Sequence, residues 1–157
     1  MIAVSGGFDP IHSGHVRMMQ EAKKLGDKLA RREKKESKLI VILNNNDWLI
    51  QKKGYFFMHQ KERKEIIEAL GCVDKVVITR HPKNPKDMSV CETLLRVKPD
   101  VFCNGGDRKN ENDIPEVPVC KKIGCKMLFN FGKGGKIQSS SWLLKKFIEH
   151  QGNIKTC

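Results

Sequence analysis

Long hydrophobic runs are missing from this 157-residue chain. None of its apolar stretches approaches the roughly 20 residues needed to cross a bilayer, so no membrane insertion is expected. The first residues, MIAVSGG, carry neither a basic leader nor an extended apolar core, which predicts a protein that stays in the cytoplasm. Aromatic residues are scarce at 6%, too few for a row of base-stacking platforms. The six cysteines (Cys72, Cys91, Cys103, Cys120, Cys125, Cys157) form no C-x-x-C pair beside histidines, which argues against a structural zinc site and for reduced, mostly buried thiols. Acidic residues are also in deficit: 18 Asp and Glu stand against 30 Lys and Arg, a net charge of +12. That excess attracts polyanions, whether nucleic acid, an acidic membrane surface or phosphorylated small molecules, and does not choose among them. No repeat, low-complexity tract or linker divides the sequence, so residues 1–157 are expected to form a single domain.

What is present is an alternation. IAVS (2–5), LIVILN (39–44), KVVIT (75–79), DVFCN (100–104) and KMLFNF (126–131) are short, branched or aromatic, and end in polar residues or glycine, as strands do. Between and after them, 15–25, 59–71, 88–97, about 115–123 and 140–150 carry apolar residues at helical spacing. Five alternations predict an α/β fold, a Rossmann-like three-layer sandwich around a five-stranded parallel sheet, with ligands bound beyond the carboxyl ends of the strands. The charged segment ARREKKES (30–37) is expected to extend or follow the first helix as a solvated face.

The chemistry-bearing stretches all fall at those strand ends. After the first strand comes GGFDPIHSGH (6–15). Gly6 and Gly7 suit a sharp turn, Pro10 stiffens the descent, and Ser13 stands where a helix cap would. Gly14 and His15 then enter a first helical turn whose free N–H groups attract anions. Three-residue spacing brings His12 and His15 together at that end, both able to donate to one phosphate chain. NNND (44–47), RHPKNP (80–85), NGGDRKN (104–110) and GKGGKIQSSS (132–141) follow the other strands. Lys52 and Lys53 beside Gly54 suggest a loop in which an ammonium closes over a triphosphate. Arg63, within KERKE, reads by itself as part of a solvated helix face. Gly105 and Gly106 leave room for a base or ribose, with Asp107 able to accept from a hydroxyl. Ser139, Ser140 and Ser141 open a second helix with more hydroxyls than a cap requires. Trp142, Leu143, Leu144 and Phe147 read as the buried face of that helix, and His59, His81 and His150 as surface or loop residues.

Taken in order, these motifs resemble the cytidylyltransferase-like nucleotidyltransferase superfamily, which carries H-x-G-H on such a turn. Its members include glycerol-3-phosphate cytidylyltransferase, the adenylyltransferase that makes ADP-heptose, archaeal FAD synthetase and phosphopantetheine adenylyltransferase. KKGYFFMHQKERKEII (52–67) is similar to the family's lysine loop and arginine helix, NGGD to its nucleotide-contacting loop, and IQSSSWLLKKF (137–147) to its closing helix start. The resemblance implies a catalytic set of His12, His15, Lys53 and Ser140. It implies nucleotide contacts from Gly6, Gly7, Phe8, Gly14, Lys52, Arg63, Gly105, Gly106, Asp107, Ser139 and Ser141. Asp9 and Arg80 are weaker candidates for the acceptor.

The implied reaction is an in-line attack by an acceptor phosphate on the α-phosphorus of a nucleoside triphosphate, releasing pyrophosphate. Mg²⁺ would arrive with the triphosphate, since no dedicated metal cage is visible in the sequence. A homodimer is common in the family. The stretch GKGGKIQSSS lacks the arginine of the R-T-E-G-I-S-T-T found in glycerol-phosphate cytidylyltransferases, which favours ATP over CTP. The G-G-D loop favours a sugar or polyol phosphate as acceptor. A CTP-using, glycerol-3-phosphate-type enzyme is the alternative within the class. A basic nucleic-acid-binding module without catalysis is the alternative outside it, and the lack of reader motifs and stacking aromatics counts against nucleic acid as a partner.

Overall fold

The computed structural model describes residues 1–105, 114–131 and 139–153. Five parallel strands form the sheet: β1 (Ile2–Gly6), β2 (Leu39–Leu43), β3 (Lys75–Ile78), β4 (Val101–Gly105) and β5 (Lys126–Phe131). The helices are α1 (Ser13–Arg32), α2 (Asn46–Lys53), α3 (Gln60–Glu68), α4 (Cys91–Val97), α5 (Glu116–Lys122) and α6 (Ser140–Asn153). The strand order is β3-β2-β1-β4-β5. The chain therefore winds outward from β1 in one direction through β2 and β3, then returns to place β4 on the other side of β1. The carboxyl end of β1 is the switch point, where an α/β sheet opens a crevice.

Both faces of the sheet are covered, which is why its strands read as continuous apolar runs. On one face Ile2, Val4, Leu39, Val41, Leu43, Val76, Val101 and Cys103 pack against Met18, Met19 and Ala22 of α1 and Ile67 of α3. On the other, Ala3, Ile42 and Phe102 meet Val90, Leu94 of α4 and Cys120 of α5. The sandwich is thus the expected one, and none of its helices is long and apolar enough to cross a membrane among the described residues. The five cysteines among the described residues are free, with Cys103, Cys120 and Cys125 buried.

Three local expectations are corrected. The NNND stretch opens a helix that the apolar spacing did not show: Asn45 caps α2, its side chain accepting from Trp48 N at 3.0 Å. Lys52 and Lys53 consequently lie in the last turn of that helix, where Gly54 (φ 84°) closes it, and not in a loop. The first helix begins two residues earlier than its apolar spacing showed and runs to Arg32, so that ARREKKES extends it through Arg32 and then follows it. On α6 Trp142 and Phe147 are 45% and 59% exposed, because the side of the helix that meets the protein is the one carrying Ser140, Leu143 and Leu144. Lys146 Nζ lies 4.0 Å over the Trp142 ring.

Candidate active site

The turn between β1 and α1 is held from within. His12, not Ser13, is the N-cap of α1: its Nδ1 accepts from Gly14 N at 3.1 Å, while His15 Nδ1 accepts from His12 N at 3.3 Å. The His15 N–H is used as well, donating to His12 O at 2.9 Å. The amides of Gly14 and His15 are therefore spent within the turn and are not free for a ligand as the sequence suggested. A ring whose Nδ1 accepts must carry its proton on Nε2. The two rings stack with centroids 3.7 Å apart and 23° between planes, and neither Nε2 has a partner among the described residues. His15 also meets the edge of Phe8 at 5.0 Å.

Burial, then the charges of His12 and Lys53, push His15 from 6.5 down to about 3. Burial lowers His12 as well. Both rings are neutral at pH 7, yet each presents an N–H at the positive end of a 20-residue helix. Two parallel neutral donors at such an end suit a polyphosphate, and they do so without a protonation step.

The glycines serve this turn mainly by making room. The strained backbone falls on Phe8 (φ 49°) rather than on Gly6 or Gly7. A Cβ on Gly6 would lie 2.9 Å from the Phe8 ring, and one on Gly14 would lie 3.0 Å from His12. At Gly7 it would meet Leu49 Cδ2 at 2.8 Å, and at Gly105 the Met18 sulfur at 2.5 Å, so α1 sits close against the end of β4. The Asp9–Pro10 peptide is cis.

Two buried charges lock neighbouring segments onto this turn. Asp9, 1% exposed, accepts from Phe57 N and Met58 N, each at 2.7 Å, and Lys53 Nζ donates to Asp9 O at 3.0 Å. The carboxylate thus positions the 54–59 segment and, through it, the end of α2 beside His15. Lys53 is half-buried, and its pKa is lowered by burial against the opposing pull of Asp9. Arg63 is fully buried, not on a solvated face. Its Nε donates to Met58 O (2.9 Å), Nη1 to Gly7 O (2.7 Å) and Asn44 O (2.8 Å), and Nη2 to Asn46 Oδ1 (2.9 Å). One guanidinium therefore ties together the ends of β1 and β2, α2 and the start of α3.

The serine helix arrives at the same place. Ser139 Oγ accepts from Trp142 N at 3.1 Å and caps α6, while Ser140 Oγ donates to Pro10 O at 2.8 Å, latching α6 to the histidine turn across 130 residues of sequence. Ser141 is exposed, as are Lys52 and Arg80, the last at the end of β3. Gly106 and Asp107 lie outside the described residues. His59 and His81 are less idle than the sequence suggested: His59 caps α3, and His81 joins Thr79 Oγ1 (2.8 Å) to Ser89 O (2.9 Å). Among the described residues no cluster of three or more His, Cys, Asp or Glu is arranged to hold a metal, and both Asp9 oxygens are committed to amides. The described residues do not by themselves make a protein-held Mg²⁺ site.

A parallel sheet with its switch point at β1, a stacked H-x-G-H pair there, and a lysine and a serine helix fastened to the same turn define a phosphate-handling α/β domain. The Cytidylyltransferase-like family profile matches residues 3–127. The chain belongs to this family of nucleotidyltransferases. It is 32% identical over 110 residues to the FAD synthase of Ferroglobus placidus, a match covering 68% of this chain and 59% of that protein's length. The FAD synthase of Archaeoglobus fulgidus matches at 26% over 153 residues, covering 94% of this chain and 97% of its own. The bifunctional protein HldE of Hydrogenovibrio crunogenus matches at 29% over 135 residues, 85% of this chain and 25% of that protein. A solved lipopolysaccharide core biosynthesis protein from Thermoplasma volcanium shares the fold, with TM-score 0.62 and 24% identity over 83% of this chain and 95% of that one.

Proposed function

We propose that this protein adenylylates a phosphorylated small molecule: an acceptor phosphate oxygen attacks the α-phosphorus of ATP, the bond to the bridging oxygen breaks, and pyrophosphate leaves. The observation that carries this reading is the stacked, neutral histidine pair with both Nε2–H groups unpartnered at the switch point. Catalysis of such a transfer rests on positioning and on donors aimed at developing oxygen charge. His12 and His15 supply two such donors, Lys53 brings an ammonium to the same turn, and Ser140 fixes the approach of α6. Mg²⁺ would enter as the counter-ion of the triphosphate and neutralise part of its charge. Asp9 and Arg63 act here as positioning residues, whose side chains are spent on backbone groups and on Asn46.

FMN is the first acceptor to test, because FAD is FMN joined to AMP and FAD synthases are among the relatives. A sugar or polyol phosphate is the second, supported by the HldE match. A thermal-shift panel of ATP, CTP, GTP and UTP with Mg²⁺ tests the donor. A nucleotide at a hundredfold its Kd adds about 2.7 kcal/mol, a shift of several degrees in a domain of this size. Selective stabilisation by ATP that disappears in a His12→Ala, His15→Ala double variant supports the reading. Selective stabilisation by CTP would replace the donor, and an indifferent panel together with salt-sensitive RNA binding would favour the binding-only alternative.

A further inference from the structure

Aromatic residues are few in this chain, and half of them are exposed. Tyr55 and Phe57 stand 47% and 57% exposed between α2 and α3, with Phe56 between them and Ile50, one turn earlier on α2, also on the outside. Trp142, Phe147 and Ile148 are exposed on α6. A single apolar side chain on a surface needs no explanation, but three aromatic rings in succession mark an interaction site.

The tip that carries these rings is anchored from beneath. The Asp9 carboxylate accepts from Phe57 N and Met58 N, Arg63 Nε donates to Met58 O, and Gly54 N closes α2 on Ile50 O. Those bonds spend the backbone of the segment on the protein and leave the rings outside. The first turn of α6 reaches the neighbouring residue, since Ser140 Oγ donates to Pro10 O. Two exposed apolar groups, Tyr55 to Phe57 and Trp142, therefore flank the single turn at residues 9 and 10.

The charges left free around them are mostly basic. Lys52 and Lys61 flank the tip, are exposed, and form no ion pair among the described residues, while Lys146 Nζ lies over the Trp142 ring. Of the carboxylates on the same elements, Glu62 accepts from His59 N, Glu68 pairs with Lys64 and Glu149 with Lys145; Asp47 lies at the far end of α2, and Glu65 is exposed on α3. A second copy of the chain would set like charge against like, with +12 on each. Ile50 and Ile148 beside the rings offer no π-face to a base, which counts against single-stranded nucleic acid. Exposed aromatics rimmed by lysines complement the headgroup layer of an anionic membrane.

We infer that the 54–59 tip and the first turn of α6 form a docking surface for an anionic phospholipid bilayer. Tyr55, Phe56, Phe57 and Trp142 enter the headgroup boundary, and Lys52, Lys61 and Lys146 meet the lipid phosphates. The protein lies on the bilayer by this surface and does not span it, in keeping with the absence of a long apolar helix among the described residues. This docking goes beyond adenylyl transfer and does not depend on it.

The test is cosedimentation of the full chain with vesicles of phosphatidylcholine and phosphatidylglycerol, beside vesicles of phosphatidylcholine alone, at low and high salt. The parent should bind the mixed vesicles about tenfold or more tightly than the neutral ones, and high salt should release it. A Tyr55→Ser, Phe57→Ser double variant should bind the mixed vesicles about tenfold or more weakly. Its melting temperature should match the parent's, because both side chains are already exposed. A Tyr55→Trp, Phe57→Trp variant should keep the binding, with tryptophan emission shifted to the blue when mixed vesicles are added. No binding, equal binding to both kinds of vesicle, or equal binding by the parent and the serine variant would overturn the docking surface. So would a dimer or an oligonucleotide complex that the serine variant loses while vesicles are ignored. The readout is partition onto lipid, so it decides the matter whether or not AMP transfer is found.

Discussion

The two sides of β1 are built on opposite rules. On the α1 side each polar side chain that shapes the turn has a protein partner: His12 and His15 cap the helix, Asp9 takes two amides, Ser140 holds Pro10 O and Arg63 bonds four oxygens. On the α4 and α5 side Asn44 and Asn104 are just as buried and have atoms with no partner among the described residues. A buried unpaired polar group costs about 1–3 kcal/mol, so a fold keeps one only where something outside the fold repays it. The closed side makes donors rigid in advance, as phosphate chemistry requires.

The sharpest break of this contrast removes the guanidinium that organises the closed side. Arg63→Met would strand Gly7 O, Asn44 O and Met58 O without their donor, and we expect a loss of about 3–5 kcal/mol in urea unfolding. His15→Ala should lower kcat by about a hundredfold, equivalent to about 2.7 kcal/mol of transition-state stabilisation, with a folded circular dichroism spectrum. Asp9→Asn keeps the shape but sets an NH₂ against Phe57 N or Met58 N. It should cost about 1–3 kcal/mol and speed hydrogen exchange at those two amides, while leaving exchange in β4 unchanged.

The smallest effect is one of pH. His15 titrates near 3 when folded and near 6.5 when unfolded, so between those values the unfolded chain binds more protons. Stability therefore rises with pH through that window and falls as pH drops from about 6.5 towards 3, by at most about 1.4 kcal/mol per pH unit. Urea midpoints at pH 7 and pH 5 should show this slope in the parent and a shallower one in His15→Ala.

Sequence pattern made much of this legible, for identifiable reasons. Every strand was visible because both faces of the sheet are covered and the apolar runs are unbroken. The histidine turn was visible because its residues are contiguous. Helix α2 was missed because its apolar residues Trp48, Leu49 and Ile50 are adjacent, not spaced by three or four, and because its start lies in a run of asparagines that suits a loop equally well. Arg63 was misread because KERKE looks like a solvated face, and only the fold reveals that its third position points inward at four oxygens. Asn44 and Asn104 carried one signal, a polar residue ending an apolar strand, that ordinary strand ends share. Their lack of partners is a property of three-dimensional packing.

The most direct test of the whole account follows the fate of the labelled phosphate. The protein is incubated with Mg²⁺, ATP labelled at the α-phosphorus, and FMN or a hexose 1-phosphate, beside the His15→Ala variant. The account predicts label in a new acceptor–AMP product, one equivalent of pyrophosphate per product, and about a hundredfold slower formation in the variant. Equal rates in parent and variant would contradict the role given to the histidine pair, and label transferred from CTP but not from ATP would contradict the adenylyl donor.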